Sequence, residues 1–207
     1  MTDPADSIVV LGVGNPLMHD DGVGPRVVET LLEGYDFSDN VEILDAGTMS
    51  FAILNVLADK DHLIIVDALR GTENPVGSVM RLTPEQVAHN RVRPTPDRRG
   101  LLDVLEAIQL VGGSPATTVV AIQVDTADDM VLGLSPKVEA SVPIAVALVL
   151  DELERLGAQA LPRSPEVHTR VLRATAAYTR NSRSIRSAID SASNPAIANR
   201  SDDAPED

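Results

Sequence analysis

At 207 residues the chain is long enough for one domain with a full core and a further segment, and with hydrophobics at 43% but aromatics at 2% that core is built from Val, Leu, Ile and Ala. Its net charge of -14 repels a phosphate backbone, so no nucleic-acid partner is expected, and the lack of cysteine excludes disulfides, thiolate catalysis and cysteine-held metal centres. MTDPADS at the start has neither the basic nor the apolar part of a secretory signal, and no apolar run nears the ~20 residues of a membrane helix, which makes a cytoplasmic protein without membrane contact the expectation.

Ser7 to Gly12 reads as a buried strand, a short β-branched run bounded by polar and glycine signals. Val23, Val27, Val28 and Leu32 have helical spacing, and Val41 to Leu44 gives a second strand running into Asp45-Ala46-Gly47-Thr48. Thr48 or Ser50 is placed to cap a helix carrying Phe51, Leu54, Val56 and Leu57. His62 to Val66 is a third strand, ending at Asp67, and Gly77 to Leu82 a fourth after the turn Glu73-Asn74-Pro75. Pro84 opens a short helix toward His89. Leu101 to Leu110 is helical, Thr117 to Val124 is a β-branched strand, and Ser135-Pro136 starts one long helix to about Leu156, stopped by Gly157. Strands alternating with helices, several of them apolar throughout, predict an α/β fold: a three-layer sandwich whose twisted, mostly parallel sheet of about five strands has helices on both faces. Beyond Leu161 the composition shifts. Residues 162–207 form an Arg/Ser/Ala-rich tail, partly helical or disordered, with seven arginines against six acids, so the acidic excess lies before it.

In open sheets of this kind ligands bind beyond the carboxyl ends of the strands. Asp20 and Asp21, Asp45 and Asp67 all fall just after the first three strands, which places several carboxylates at one rim. Gly12-Val13-Gly14 invites a dinucleotide reading, but the third glycine of that fingerprint would fall at Leu17, and acids at 20 and 21 would repel a pyrophosphate. One of that pair has an ordinary role as a helix N-terminal acid. His19 reads as a loop residue and His62 as structural, at the opposite end of its strand. Neither a G-x-S-x-G elbow nor an H-E-x-x-H pair occurs.

GVGNPLMHDDGVGPRVVETL, LDAGT, HLIIVDAL, GLLDVL and GLSPKVEASV follow in one order from about Ile8 to Leu156. Together they resemble the hydrogenase maturation endopeptidases, which trim the C-terminus of the nickel–iron hydrogenase large subunit. The resemblance implies that residues 1–161 form the protease-like domain, a monomer whose partner is the large-subunit precursor. It further implies that nickel, already inside the precursor, is the recognition element and is bound by two carboxylates and a histidine of the protease. Mapped onto this chain, those carboxylates are Asp21, where relatives often carry Glu, and Asp67. The histidine position reads Asp97, in PTPDRRG, so the implied metal set is Asp21, Asp67 and Asp97, with His89 as an alternative third ligand. Carboxylate is a harder donor than imidazole, which shifts preference toward oxygen-loving metals. Asp21 or Asp45 then positions or deprotonates the attacking water, an aspartyl-type reaction. Two other classes stay open: a non-catalytic chaperone that binds the precursor, and a nucleotide-binding α/β protein.

Overall fold

The computed structural model describes residues 6–46, 54, 57–89, 101–125, 130–166, 169, 171 and 173, with the side chains of 89 and 101–104 excepted. Strand β1 (Ile8–Gly12) is buried along its whole length, as an uninterrupted Ile-Val-Val-Leu run requires of a strand covered on both faces. A 3-10 turn (His19–Gly22) leads into helix α1 (Val23–Gly34). Then come β2 (Tyr35–Phe37), β3 (Val41–Asp45) and β4 (His62–Leu69). The second half has β5 (Val79–Leu82), α2 (Pro84–His89), α3 (Leu101–Leu110), β6 (Ala116–Gln123), α4 (Pro136–Glu139), α5 (Val142–Arg155) and β7 (Ala160–Pro162).

The main sheet has the order β3-β1-β4-β6-β5, parallel except for β5, which runs antiparallel to β6 at one edge. Alternate residues of each strand enter different cores. Ile8 and Val10 of β1 with Ile64 and Val66 of β4 pack against Val27 and Leu31 of α1 and Val146 and Val149 of α5. Val9 and Leu11 with Leu63 and Ile65 pack on the other face with Leu54, Leu57, Val87 and Ile108. The three-layer α/β sandwich expected from the sequence is therefore the fold. The proposed helix cap at Thr48 or Ser50 lies outside the described residues.

Two local expectations change and one feature is new. The third strand does not stop at Val66; β4 continues through Asp67 to Leu69, because β6 keeps pairing with it as far as Leu69 opposite Gln123 while β1 ends at Gly12 opposite Val66. The long helix from Ser135 is two helices, since Pro143 has no N–H to give the Glu139 carbonyl and α5 restarts one residue earlier at Val142. A second, two-stranded sheet pairs β2 with β7, Tyr35 opposite Pro162.

Helix α1 meets the sheet at Gly24. A Cβ there would sit 2.1 Å from the Val13 carbonyl oxygen and 2.5 Å from that of Val66, both backbone atoms that cannot swing away. This glycine lets the start of the helix lie directly on the ends of β1 and β4. Gly24→Ala should therefore cost about 3 kcal/mol or more of stability, at the upper end for single substitutions, read as a lowered denaturant midpoint in chemical unfolding.

At the far end of α1, Tyr35 is 3% exposed and its hydroxyl has no hydrogen-bond partner among the described residues. Burial raises its pKa above the ordinary 10.0, so the folded state holds this proton more tightly than the unfolded state does. Its contribution is fully present below the unfolded pKa and is lost as pH rises above it, because the unfolded state sheds the proton first. Tyr35→Phe should leave neutral-pH stability unchanged or raise it by about 1 kcal/mol, and thermal melts between pH 9 and 11 should show a shallower decline than wild type.

Candidate active site

The turn carrying the adjacent acids is held unusually tightly. It contains two positive-φ positions, Gly14 at 132° and His19 at 45°, the second rare for a residue with a side chain. At Gly14 a Cβ would stand 1.9 Å from the carbonyl oxygen of Asp21, so the strand exit and the acid-bearing turn touch backbone to backbone. The Asn15 N–H donates to Asp21 Oδ2 at 2.8 Å, and the Asp21 N–H donates to the Met18 carbonyl at 3.1 Å. These contacts leave Asp21 half-buried at the start of α1, on a turn that packs against β4.

Asp20 and Asp21 have separate fates. Asp20 is 2% exposed, and its carboxylate accepts the Ser135 backbone N–H at 2.6 Å and the Ser135 hydroxyl at 2.9 Å. The sequence suggested that one of the two acids caps the helix that follows; instead α1 has no side-chain cap, and Asp20 reaches across to the residue that opens α4. His19 adds to the same join. Its N–H donates to the Val131 carbonyl at 2.9 Å, and its Nδ1 lies 3.0 Å from the Gly133 carbonyl oxygen, the geometry of an Nδ1–H donor. His19 is therefore more than a loop residue.

The remaining acids lie on the rim formed by the ends of β1, β3 and β4, but not on one face. Asp45 ends β3 directly opposite Gly12, and a side chain at Gly12 would point at Gly24 and Val28 of α1. Asp45 is exposed and lines a cleft of about 640 Å³ together with His19, Gly22, Arg26 and Arg163. Asp67 pairs with Ala121, whose side chain belongs to the opposite core. Its Oδ1 accepts the Ala68 N–H at 2.7 Å, and it stands one residue beyond the Gly12–Val66 row because β4 overruns β1. Asp45 and Asp67 thus share an edge while facing opposite sides of the sheet, since a strand's side chains alternate.

Among the described residues no group of three or more His, Asp or Glu is close enough to hold a metal ion. Asp97 lies outside the described residues, as does the side chain of His89. His62 sits at the start of β4, away from the rim, 3.3 Å from Asp6, in keeping with a structural role. What this arrangement supplies chemically is one fixed carboxylate on the turn before α1, one on β4 beyond the end of β1, and, on the Asp45 side, a cleft that carries both signs of charge.

Residues 25–152 match the family model for hydrogenase maturation protease. The chain is 39% identical over 159 residues to the hydrogenase 2 maturation protease of Escherichia coli K12, covering 75% of this chain and 96% of that one. It is 31% identical over 157 residues to the hydrogenase expression/formation protein HupD of Rhizobium leguminosarum bv. viciae, covering 74% and 77%. The solved structure of the hydrogenase maturating endopeptidase HybD from E. coli superposes with a TM-score of 0.68 at 40% identity, over 76% of this chain and 98% of that one. The chain belongs to the hydrogenase maturation protease family, and its class of reaction is peptide-bond hydrolysis.

Proposed function

We propose that this protein removes the C-terminal extension from a nickel-loaded precursor of a nickel–iron hydrogenase large subunit, reading the substrate's own nickel. The observation that carries this reading is a rigidly held Asp21 on a turn packed against β4, the strand that carries Asp67 past the end of β1, in a chain of this family. Asp21 and Asp67 are ligands offered to the incoming metal, and Asp97 is the third. An all-carboxylate set is a harder donor set than one with imidazole, so capture of nickel here depends on donors the precursor itself supplies.

Docking of the metal fixes the scissile peptide against the rim, where proximity does much of the work. Asp21, or Asp45 from the cleft side, takes a proton from a water molecule as its oxygen attacks the carbonyl carbon. The tetrahedral intermediate then collapses, the C–N bond breaks, and the leaving nitrogen receives that proton. The protein acts in this reading as a cytoplasmic monomer and needs no resident cofactor.

The test is a nickel-loaded precursor incubated with purified variants and weighed by mass spectrometry. Asp21→Asn and Asp67→Asn should slow shortening by about 100-fold or more while keeping the wild-type melting temperature within a few degrees. Wild-type rates in both variants would overturn the metal-docking reading. Binding of the precursor by the wild-type protein without any shortening would favour the chaperone reading instead.

A further inference from the structure

Asp20 has no part in the chemistry just described, yet it is the more deeply buried of the two adjacent acids. Taking a carboxylate out of water costs several kcal/mol in real proteins, recovered only by well-made hydrogen bonds. Among the described residues both hydrogen bonds to its carboxylate come from one residue, Ser135, at the start of α4. Stability alone is a weak reason for such an arrangement, since an apolar pair of the same shape often serves a core as well.

The geometry of the turn supplies a better one. In a 3-10 helix successive side chains are separated by about 120°. With Asp20 turned inward and hooked to Ser135, Asp21 is turned away from that direction. The rotation of the turn about its own axis is thus set by Asp20. His19 fixes the same rotation from the preceding position through Val131 and Gly133, at the expense of a positive φ. Strained backbone of this kind persists only where the surroundings over-determine it. The Asn15 bond ties Asp21 to the nearby exit of β1, six residues away; the Asp20 bonds, 115 residues apart, tie the turn to the start of α4.

We propose that Asp20 is a positioning residue for the peptidase reaction: through its paired hydrogen bonds to Ser135 it sets the angle at which Asp21 meets the substrate. The proposal rests on Asp21 having the role given under Proposed function. Loosening the hook misaims Asp21 without removing any group that contacts substrate. It therefore lowers the rate of the chemical step more than it weakens binding.

Single-turnover and steady-state cleavage of the nickel-loaded precursor should be measured for Asp20→Asn, Ser135→Ala, Ser135→Thr and Asp21→Asn. Each rate is to be divided by the folded fraction at the assay temperature, taken from the melting curve. Asp20→Asn should lose about 10- to 100-fold in kcat, the scale of an ångström-sized misplacement, with KM changed less than about threefold. Ser135→Ala, which keeps the buried carboxylate and removes one of its two bonds, should lose less, and Ser135→Thr should restore the wild-type rate. Normalised kcat values equal to wild type in both Asp20→Asn and Ser135→Ala, with Asp21→Asn inactive, would overturn the positioning role and leave the role of Asp21 standing. Full activity in Asp21→Asn would instead overturn the reading on which it rests. Should Asp20→Asn not fold, a normalised Ser135→Ala rate equal to wild type overturns the positioning role, and a reduced rate restored by Ser135→Thr supports it.

Discussion

Everything at the candidate site depends on the contact between the first turn of α1 and the ends of β1 and β4. Helix and sheet usually keep a layer of side chains between them. Here that layer vanishes at one point, because residue 24 has no side chain and the carbonyls of Val13 and Val66 occupy its place. The Val13 N–H in turn donates to the Val66 carbonyl at 2.8 Å, so the two strand ends are joined where the helix rests on them. From this point the remaining positions follow. The turn before α1 lands on the rim, Asp21 comes to lie over the strand ends, and the long β4 carries Asp67 up beside them.

The sequence makes the layers legible because burial on both faces leaves a plain mark. The Ile-Val-Val-Leu and Leu-Ile-Ile-Val runs have no polar residue to orient them, and only a covered parallel sheet uses such strands. It also makes Asp21 and Asp67 legible as acids at strand exits. What it hides is facing. Residues 41, 43 and 45 share one side of β3, and 63, 65 and 67 share one side of β4, but which sides coincide depends on register. Pairing of Gly12 with both Asp45 and Val66 puts Asp45 and Asp67 on opposite sides, and no local pattern encodes that pairing. The role of Asp20 is hidden for a related reason: its partner lies 115 residues away. Strands of three residues, Tyr35–Phe37 and Ala160–Pro162, are too short to show any alternation.

The charge distribution takes a simple form in the structure. Of the acids considered at the site, the one withdrawn from water is joined to backbone and hydroxyl donors. Basic side chains nearby are spent on other acids, as with Arg26, which pairs with Glu29 at 2.7 Å and Glu139 at 3.5 Å. Asp20 is thus stabilised by backbone and hydroxyl dipoles, while Glu29 and Glu139 share a partly exposed guanidinium whose net contribution is small.

The two-stranded sheet has a consequence for where the working part of the chain ends. The compositional change at residue 162 falls inside β7, and the next residue, Arg163, donates its backbone N–H to the Gly34 carbonyl at 2.9 Å and its side chain to Asp36 at 2.9 Å. Gly34 is the last residue of α1, so a residue with tail-like composition ties off the helix whose other end bears on the rim. A chain cut at Leu161 would lose both of these bonds and the Tyr35–Pro162 pair, leaving that end of the helix with fewer braces, like a beam with one of its bolts withdrawn. The boundary drawn by amino-acid content and the boundary drawn by mechanical support are therefore different, and the second includes at least the first arginine of the tail.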